Sequence, residues 1–354
     1  MDKFLIKKQG KDLNKYIVGW LTSACVLIIS LVIIGGITRL THSGLSIVKW
    51  KPVTGIVPPL SIEEWEIEFE LYKKFPEYQK INYSMTLNEF KSIYFWEYIH
   101  RVIGRILGIL FIVPFMVFYY KKLIPPLLLK KLGVMFGLGL LQGFMGWFMV
   151  ASGLVNNPHV SHYRLAIHFL LAIGLVGYIY WSILDYTQPD KIKNQRHESK
   201  WIALGFILTG LIIVQMIWGA FTAGLKAGFA WNTFPKMNGE WIPSGLFLQT
   251  PWVRNFFENN LTVQFIHRSL GIIILLFSFA FWKTVRQQFN GIQKRVAFQL
   301  FLITLLQVIL GILTLILHIP VWLAVPHQLA AVILFLVSLK MNWIFLFSSQ
   351  SDVE

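Results

Sequence analysis

Long apolar runs separated by short polar segments dominate the pattern of this chain. Eight runs are long enough to cross a bilayer, because a hydrocarbon core of about 30 Å takes roughly 20 helical residues. They cover residues 17–38, 92–119, 131–152, 164–184, 201–223, 263–282, 296–317 and 322–346. A composition of 55% hydrophobic and only 14% charged residues is not typical of a soluble protein with buried core helices. The pattern therefore predicts an all-α integral membrane protein with eight transmembrane helices.

The net charge of +15 would fit a nucleic-acid-binding protein, but its distribution along the chain does not. Lys and Arg cluster before the first run and in alternate loops, at residues 3–15, 121–131, 191–200 and 283–295, whereas the loops 153–163 and 318–321 contain none. Because such clusters stay on the cytoplasmic side, both termini are predicted to be cytoplasmic. The segment 39–91 also carries basic residues, but glutamates offset them, which weakens this rule without reversing it. Contact with membrane lipid accounts for the charge, and no nucleic-acid partner is expected.

Two absences narrow the class of protein and its location. Cys25 is the only cysteine, which excludes an intramolecular disulfide, a CxxCH haem attachment, a Cys-ligated zinc site and an iron–sulfur cluster. The N-terminus lacks both a small-residue cleavage motif and an Arg- and Ser-rich transit character. We therefore expect a multi-pass protein of the bacterial inner membrane.

Four short segments occur twice, in the same order, about half the chain apart. The pairs are EYIHRVIG at 97–104 with QFIHRSLG at 264–271, LLQGFMGW at 140–147 with LLQVILGI at 305–312, GGIT at 35–38 with GAFT at 219–222, and HFLLA at 168–172 with HQLAA at 327–331. They predict two tandem, pseudo-symmetric four-helix bundles with the same membrane orientation. The halves are residues 1–190, with a long outer loop at 39–91, and 191–354, with an outer loop at 224–262.

Histidines occupy equivalent positions in the second and fourth helix of each half. These residues are His100, His168, His267 and His327, each predicted to lie within about two turns of the outer end of its helix. Two facing helices that each offer an imidazole form the arrangement of bis-histidine haem ligation. The alternative is a set of hydrogen-bonded core histidines, and a zinc site fits less well because no HxxxH or HxxE pair is present. The pattern predicts two haem sites toward the outer, periplasmic face.

Arginines lie close to the predicted haem ligands. Arg101 and Arg268 directly follow a histidine, Arg105 lies one turn further along, and Arg164 precedes His168 by four residues. Guanidinium groups at the outer rim are suited to bind haem propionates. The alternative is contact with lipid phosphate through extended side chains.

Glu97 and Gln264 are the difference between the two IHR motifs. Each precedes its histidine by three residues and so lies on the same helical face. A carboxylate at this depth in the membrane is costly. An ion pair with Arg101 or Arg39 could stabilise it, or it could take part in the chemistry. If it takes part in the chemistry, we hypothesise that Glu97 transfers protons or stabilises positive charge beside a reactive haem. The first half would then be the chemical site and the second an electron-transfer site.

Long segments of the chain match those of a known family. They include GGITRLTHSGLSIVKWKPVTGIVPPL, EFKSIYFWEYIHRVIGR, QGFMGWFMVASGL, FTAGLKAGFAWNTFPKMNGEWIP and PHQLAA. These resemble haem A synthases of the proteobacterial and mitochondrial branch, from about residue 17 to 345. The resemblance implies two tandem four-helix bundles and oxidation of the C8 methyl of haem O to a formyl, which gives haem A for cytochrome oxidase.

The same resemblance implies a division of roles between the halves. His100 and His168 would hold the substrate haem O, with Glu97 catalytic, and His267 and His327 would hold the cofactor haem B. Haem O synthase, oxidase assembly factors and an unidentified electron donor are the implied partners, and a homo-oligomer stays open. Two alternatives are a dihaem b-type electron carrier and a haem O carrier without catalysis. Ligands at one depth and the difference between Glu97 and Gln264 argue against the electron carrier.

Overall fold

A computed structural model describes residues 2–49, 55–153, 160–187 and 199–347 of the protein. Within these ranges the side chains of residues 2–13 and 152–153 are not described. Most of the basic clusters predicted at 3–15 and 191–200 therefore lie outside the described side chains. Within the described ranges the chain is helical and forms no strand, only an isolated bridge between Met237 and Glu240. This confirms the predicted all-α class.

Eight long helices account for the eight predicted apolar runs. They are α1 Asp2–Leu40, α4 Leu87–Tyr120, α5 Pro126–Gly153, α6 His162–Thr187, α7 Ser199–Gly224, α9 Asn260–Gln288, α10 Ile292–Ile316 and α11 Val321–Phe347. Each contains a stretch that is long and apolar enough to cross a membrane. The short helices α2 Ile62–Tyr72, α3 Pro76–Lys80 and α8 Asn255–Glu258 lie in the connections, with 3₁₀ turns at Ala227–Phe229 and Trp252–Arg254. The chain is thus a multi-pass membrane protein.

Helix α4 begins before its apolar run, because a capping box fixes its first turn. The Glu89 amide donates to Thr86 Oγ1, and the Thr86 amide donates to Glu89 Oε2 over 2.8 Å. The apolar run was predicted from residue 92, but the helix starts at Leu87. His100 therefore lies between three and four turns inside its helix. The predicted distance of about two turns from the helix end holds for the other three histidines and is wrong for His100.

The segment predicted as a loop at 39–91 folds into a small core of its own. A cluster that we call the outer core is formed by Ile47, Phe69, Tyr72, Phe90, Ile93 and Tyr94, all buried. It joins one face of α2 to the first turns of α4, and Trp65 packs edge-on against Tyr94 with ring centroids 5.0 Å apart. Because α2 also carries several glutamates on its other face, the sequence reads as an acidic surface stretch and not as an amphipathic helix. The outer core fixes the segment that follows α1 against α4.

The chain divides into two compact units, residues 23–172 and residues 1–22 with 173–354. In the second unit α7 packs on α9, α9 on α10, α10 on α11 and α11 on α7, which closes a four-helix ring. In the first unit α4 meets α5 through stacked Phe111 and Phe136, with centroids 6.1 Å apart. The boundary predicted at residue 190 lies outside the described residues, so the division into 1–190 and 191–354 stays a prediction.

Candidate functional site

The four predicted histidines form two pairs, one in each unit. His100 on α4 lies close enough to His168 on α6 for their imidazoles to interact electrostatically, and His267 on α9 has the same relation to His327 on α11. All four side chains are half-buried. The pairing is the one that the sequence repeat predicts.

Each imidazole lies against a glycine of a neighbouring helix. A methyl group on Gly35 would be 3.5 Å from His100 Nε2, and one on Gly146 would be 3.1 Å from His168 Cε1. In the other unit a methyl on Gly219 would be 3.0 Å from His267 Cε1, and one on Gly311 would be 2.9 Å from His327 Cε1. A methyl group at Gly146, Gly219 or Gly311 would crowd the ring, whereas one at Gly35 would meet it at an ordinary contact distance. The Gly35/Gly219 and Gly146/Gly311 pairs belong to two of the repeated segments, so the repeat carries the helix contacts as well as the histidines.

Polar groups one turn before these glycines face the same rings. Gln142 Nε2 lies 3.3 Å from His168 Nε2, and Gln307 Nε2 lies 3.5 Å from His327 Nε2. His100 faces the backbone of Leu31, and His267 faces the backbone of Gln215. These four contact residues are again equivalent in the repeat.

The histidine pairs fit the two axial positions of a haem. The Nδ1 atoms of His168, His267 and His327 are buried and have no hydrogen-bond partner among the described residues. An unpartnered buried nitrogen is costly unless a ligand or a metal satisfies it. No group of three or more His, Cys, Asp or Glu side chains comes together anywhere in the described ranges. A two-nitrogen donor set in an apolar bundle suits haem iron and does not suit a structural zinc site.

The Glu97 carboxylate is buried and clamps the end of the segment that follows α1. Its Oε2 accepts hydrogen bonds from Ser46 Oγ at 2.7 Å and from the Ile47 amide at 2.8 Å. Its Oε1 pairs with Arg101 Nη2 at 2.6 Å, and Arg101 also donates to the carbonyls of Ile47 and Lys49. The ion pair with Arg101 considered from the sequence is therefore present. It keeps a negative charge one helical turn before His100.

Gln264 and Arg268 make the corresponding clamp in the other unit. Gln264 Nε2 donates to the Trp231 carbonyl at 3.3 Å, while its Oε1 is buried without a hydrogen-bond partner in the part of the chain described. Arg268 donates to the Thr233 carbonyl and lies over the Phe234 ring at 5.8 Å. The two clamps hold equivalent loop positions, but only the first contains a carboxylate.

The predicted arginines differ in their surroundings. Arg101 and Arg105 line a cavity of about 300 Å³ between α4 and residues 47–49 and 55–68. Arg164 lies over the Phe148 ring at 4.6 Å. Arg268 Nη1 is buried and lacks a hydrogen-bond partner within the described ranges. Propionate binding by these residues stays a prediction, and Arg268 has an unused donor for it.

Sequence reasoning did not assign a role to several residues that contact the histidines or Glu97. Gln142 and Gln307 were visible in the repeated LLQ segments, and a polar amide inside an apolar helix is a signal that the repeat alone could have supplied. Ser46 and Ile47 carried no such signal, because their contact with Glu97 joins residues about 50 positions apart.

Comparisons with known proteins agree with this architecture. Residues 18–339 match the COX15-CtaA family, described as cytochrome oxidase assembly protein. The chain is 45% identical over 332 residues to a protein of Nitrosospira multiformis named Heme A synthase, which covers 93% of both chains. It is 44% identical over 324 residues to one of Nitrosomonas eutropha, covering 90% of this chain and 91% of the relative. A Heme A synthase of Wolbachia pipientis from Culex pipiens is 46% identical over 319 residues, which cover 89% of this chain and 93% of the relative. The chain belongs to the haem A synthase family of cytochrome oxidase assembly proteins.

Proposed function

We propose that this protein is an oxidoreductase that converts haem O into haem A for cytochrome oxidase. The observation that carries the proposal is the identity of 45% with a Heme A synthase along 93% of both chains. Two pairs of histidines in helical bundles support it independently, and on three of the rings a buried nitrogen has no hydrogen-bond partner among the described residues. The reaction turns the C8 methyl of haem O into a formyl group.

The substrate haem O is assigned to the first half and the resident haem B to the second. His100 and His168 hold the substrate iron, and His267 and His327 hold the cofactor iron. When bound, the haems supply the oxidation and electron-transfer chemistry, while the protein fixes orientation and proton positions. The carboxylate of Glu97 supports this division, because the equivalent position in the second half is the neutral Gln264.

Glu97 is the proposed catalytic residue. Conversion of a methyl group into a formyl group breaks two C–H bonds, and a carboxylate beside the site can accept a proton or stabilise positive charge as they break. Three donors hold this carboxylate in one position, so its charge is oriented before the substrate binds. The same contacts make it a clamp for the segment after α1, and the two roles are separable by experiment.

The propionates of the two haems are assigned to arginines at the same end of the helices. Arg101 and Arg105 serve the first half, with Arg164 beside them on α6, and Arg268 serves the second. The Nη1 of Arg268, which is buried and has no hydrogen-bond partner in the described part of the chain, supports its role in this assignment.

The protein is assigned to the bacterial inner membrane, with both termini in the cytoplasm and the haem sites toward the periplasmic face. The distribution of Lys and Arg among the loops supports this orientation. Haem O synthase, which supplies the substrate, and the assembly factors of the oxidase are the proposed partners, together with an electron donor. A homo-oligomer is compatible with these assignments.

The proposal is tested by co-expression with a haem O synthase, purification in detergent and identification of the extracted haems by chromatography and mass. We expect haem A, or a hydroxylated haem O, together with haem B. Haem B alone in membranes that contain haem O would favour the dihaem electron carrier. Unchanged haem O beside haem B, with a reductant supplied, would favour a carrier without catalysis.

Single histidine variants test the division between the halves. His267→Ala is expected to lose haem B and keep haem O, and His100→Ala to lose haem O and keep haem B. The opposite pattern of losses would reverse the assignment.

A further inference from the structure

We propose that Gln142 and Gln307 are positioning residues, each of which fixes the imidazole of a haem ligand together with a glycine one turn later on its own helix. The inference rests on the proposed function, because it takes His168 and His327 as iron ligands. It adds two side chains on α5 and α10 that do not ligate iron themselves.

The geometry of this contact occurs independently in the two units. Gln142 Nε2 is 3.3 Å from His168 Nε2, and Gln307 Nε2 is 3.5 Å from His327 Nε2. The glycines at the fourth residue after each glutamine lie against Cε1 of the same rings, at 3.1 and 2.9 Å from the position of a methyl group. Residues four apart share a helix face. Each Gln-x-x-x-Gly segment therefore touches one imidazole at two points, one polar and one steric.

Stability of the helices does not account for these glutamines. In both, the second amide atom, Oε1, is buried and has no hydrogen-bond partner among the described residues. A leucine would fill nearly the same volume without this desolvation cost. Most neighbours of Gln142 and Gln307 on α5 and α10 are apolar, so the amides are exceptions within their own helices.

The unused oxygen has a partner once iron is bound. An imidazole that ligates a metal through one nitrogen keeps an N–H on the other, and an acceptor on that N–H fixes the ring and raises the basicity of the ligand. A carboxamide offers a donor and an acceptor, and rotation about its terminal bond exchanges them. The glutamine can therefore contact the ring in both states, while the glycine backbone limits how far the ring tilts.

The segments beside the other two histidines have the same four-residue spacing, one with a glutamine and one without. Gln215 and Gly219 have the same spacing on α7, and Gln215 Nε2 donates to the His267 backbone carbonyl at 2.9 Å. Leu31 and Gly35 have it on α1, where the leucine offers no side-chain amide and His100 faces the Leu31 backbone and Gly35. The spacing is thus common to all four ligands, and an amide contacts the imidazole itself in two of them.

The test is Gln307→Leu in the full chain, purified after co-expression with a haem O synthase, with Thr304→Val as the matched control. Thr304 is buried on the same helix, and its hydroxyl donates to the Leu300 carbonyl one turn earlier, at 2.8 Å. The readouts are the haem-to-protein ratio, the low-spin ferric signals in electron paramagnetic resonance and the midpoint potentials. We expect Gln307→Leu to shift the signal and potential of one haem only, and Thr304→Val to leave both unchanged. Gln142→Leu should shift the other haem.

Native signals and potentials in Gln307→Leu at full haem content would refute the proposal. His327→Ala separates this failure from failure of the proposed function. If His327→Ala keeps both low-spin signals, the ligand assignment itself is wrong; if it loses one while Gln307→Leu changes nothing, only the glutamine role is wrong. Should Gln307→Leu not accumulate, Gln307→Asn keeps the amide but shortens its reach, and native signals in that variant would also refute the proposal.

Discussion

Replacement of Glu97 by glutamine separates the chemical role of this residue from its role as a clamp. All three groups around the carboxylate are donors: Ser46 Oγ, the Ile47 amide and Arg101 Nη2. A glutamine there must turn its NH₂ toward at least one of them. The carboxylate is 5% exposed, so solvent does not replace the lost contact.

The magnitude follows from the contacts that are lost. A hydrogen bond to a charged group contributes about 1.5–3 kcal/mol, and breaking a buried ion pair on one side costs about 3–5 kcal/mol. We therefore expect Glu97→Gln to destabilise the outer segment by about 3 kcal/mol. Ser46→Ala removes one donor and keeps the charge, with an expected loss of about 1–2 kcal/mol.

The assay measures haem A formation and folding separately for both variants. Haem content and low-spin spectra report the folded sites, and chromatography of extracted haems reports the product. Glu97→Gln is expected to bind haem but to form little or no haem A, whereas Ser46→Ala forms it. Wild-type haem A formation by a folded Glu97→Gln protein would refute the chemical role. Equal loss of product in Ser46→Ala, with both haems bound, would show that the clamp matters and the charge does not.

Three further predictions concern the outer segments and the packing of α7. Burial and a neighbouring carboxylate raise the pKa of Tyr72 above its ordinary value of about 10. Ionisation of this tyrosine therefore favours the unfolded segment. The resistance of residues 55–86 to protease should fall as the pH rises above about 10 in the parent protein but not in Tyr72→Phe. Asn255 is fully buried, and its side chain makes four hydrogen bonds. Asn255→Ala should therefore lower the free energy of unfolding of this segment by about 2–4 kcal/mol and speed protease cleavage within residues 245–259. An unchanged cleavage rate would contradict this. A methyl on Gly205 would overlap the buried Asn342 amide, while one on Gly210 meets open space. Gly205→Ala should therefore lower the thermal unfolding temperature in detergent and Gly210→Ala should not; equal temperatures would count against the packing argument.

The membrane class and the four paired histidines were accessible from the sequence because both depend on short-range patterns. A transmembrane helix satisfies its own backbone, so an apolar run of sufficient length specifies it without knowledge of its neighbours. The IHR repeat likewise identified His100 and His267 as equivalent. It identified Glu97 and Gln264 as the difference between the halves before any contact was known.

The outer segment was not predictable in the same way. Helix α2 reads as an acidic surface stretch, and only its packing against α4 shows that Phe69 and Tyr72 belong to a core. The early start of α4 depends on Thr86 and Glu89, a local signal that the search for apolar runs passed over.

The sequence by itself determined eight membrane helices, their duplication and the four histidines, since periodicity and repetition are properties of the chain. Only the tertiary structure decided the partners of each side chain: the donors around Glu97, the glutamines beside His168 and His327, and the glycine against each of the four rings. Those contacts join residues of different helices, and their distances depend on how the helices pack. A pattern along one helix shows which face it packs with, but not which atoms of a neighbouring helix that face meets.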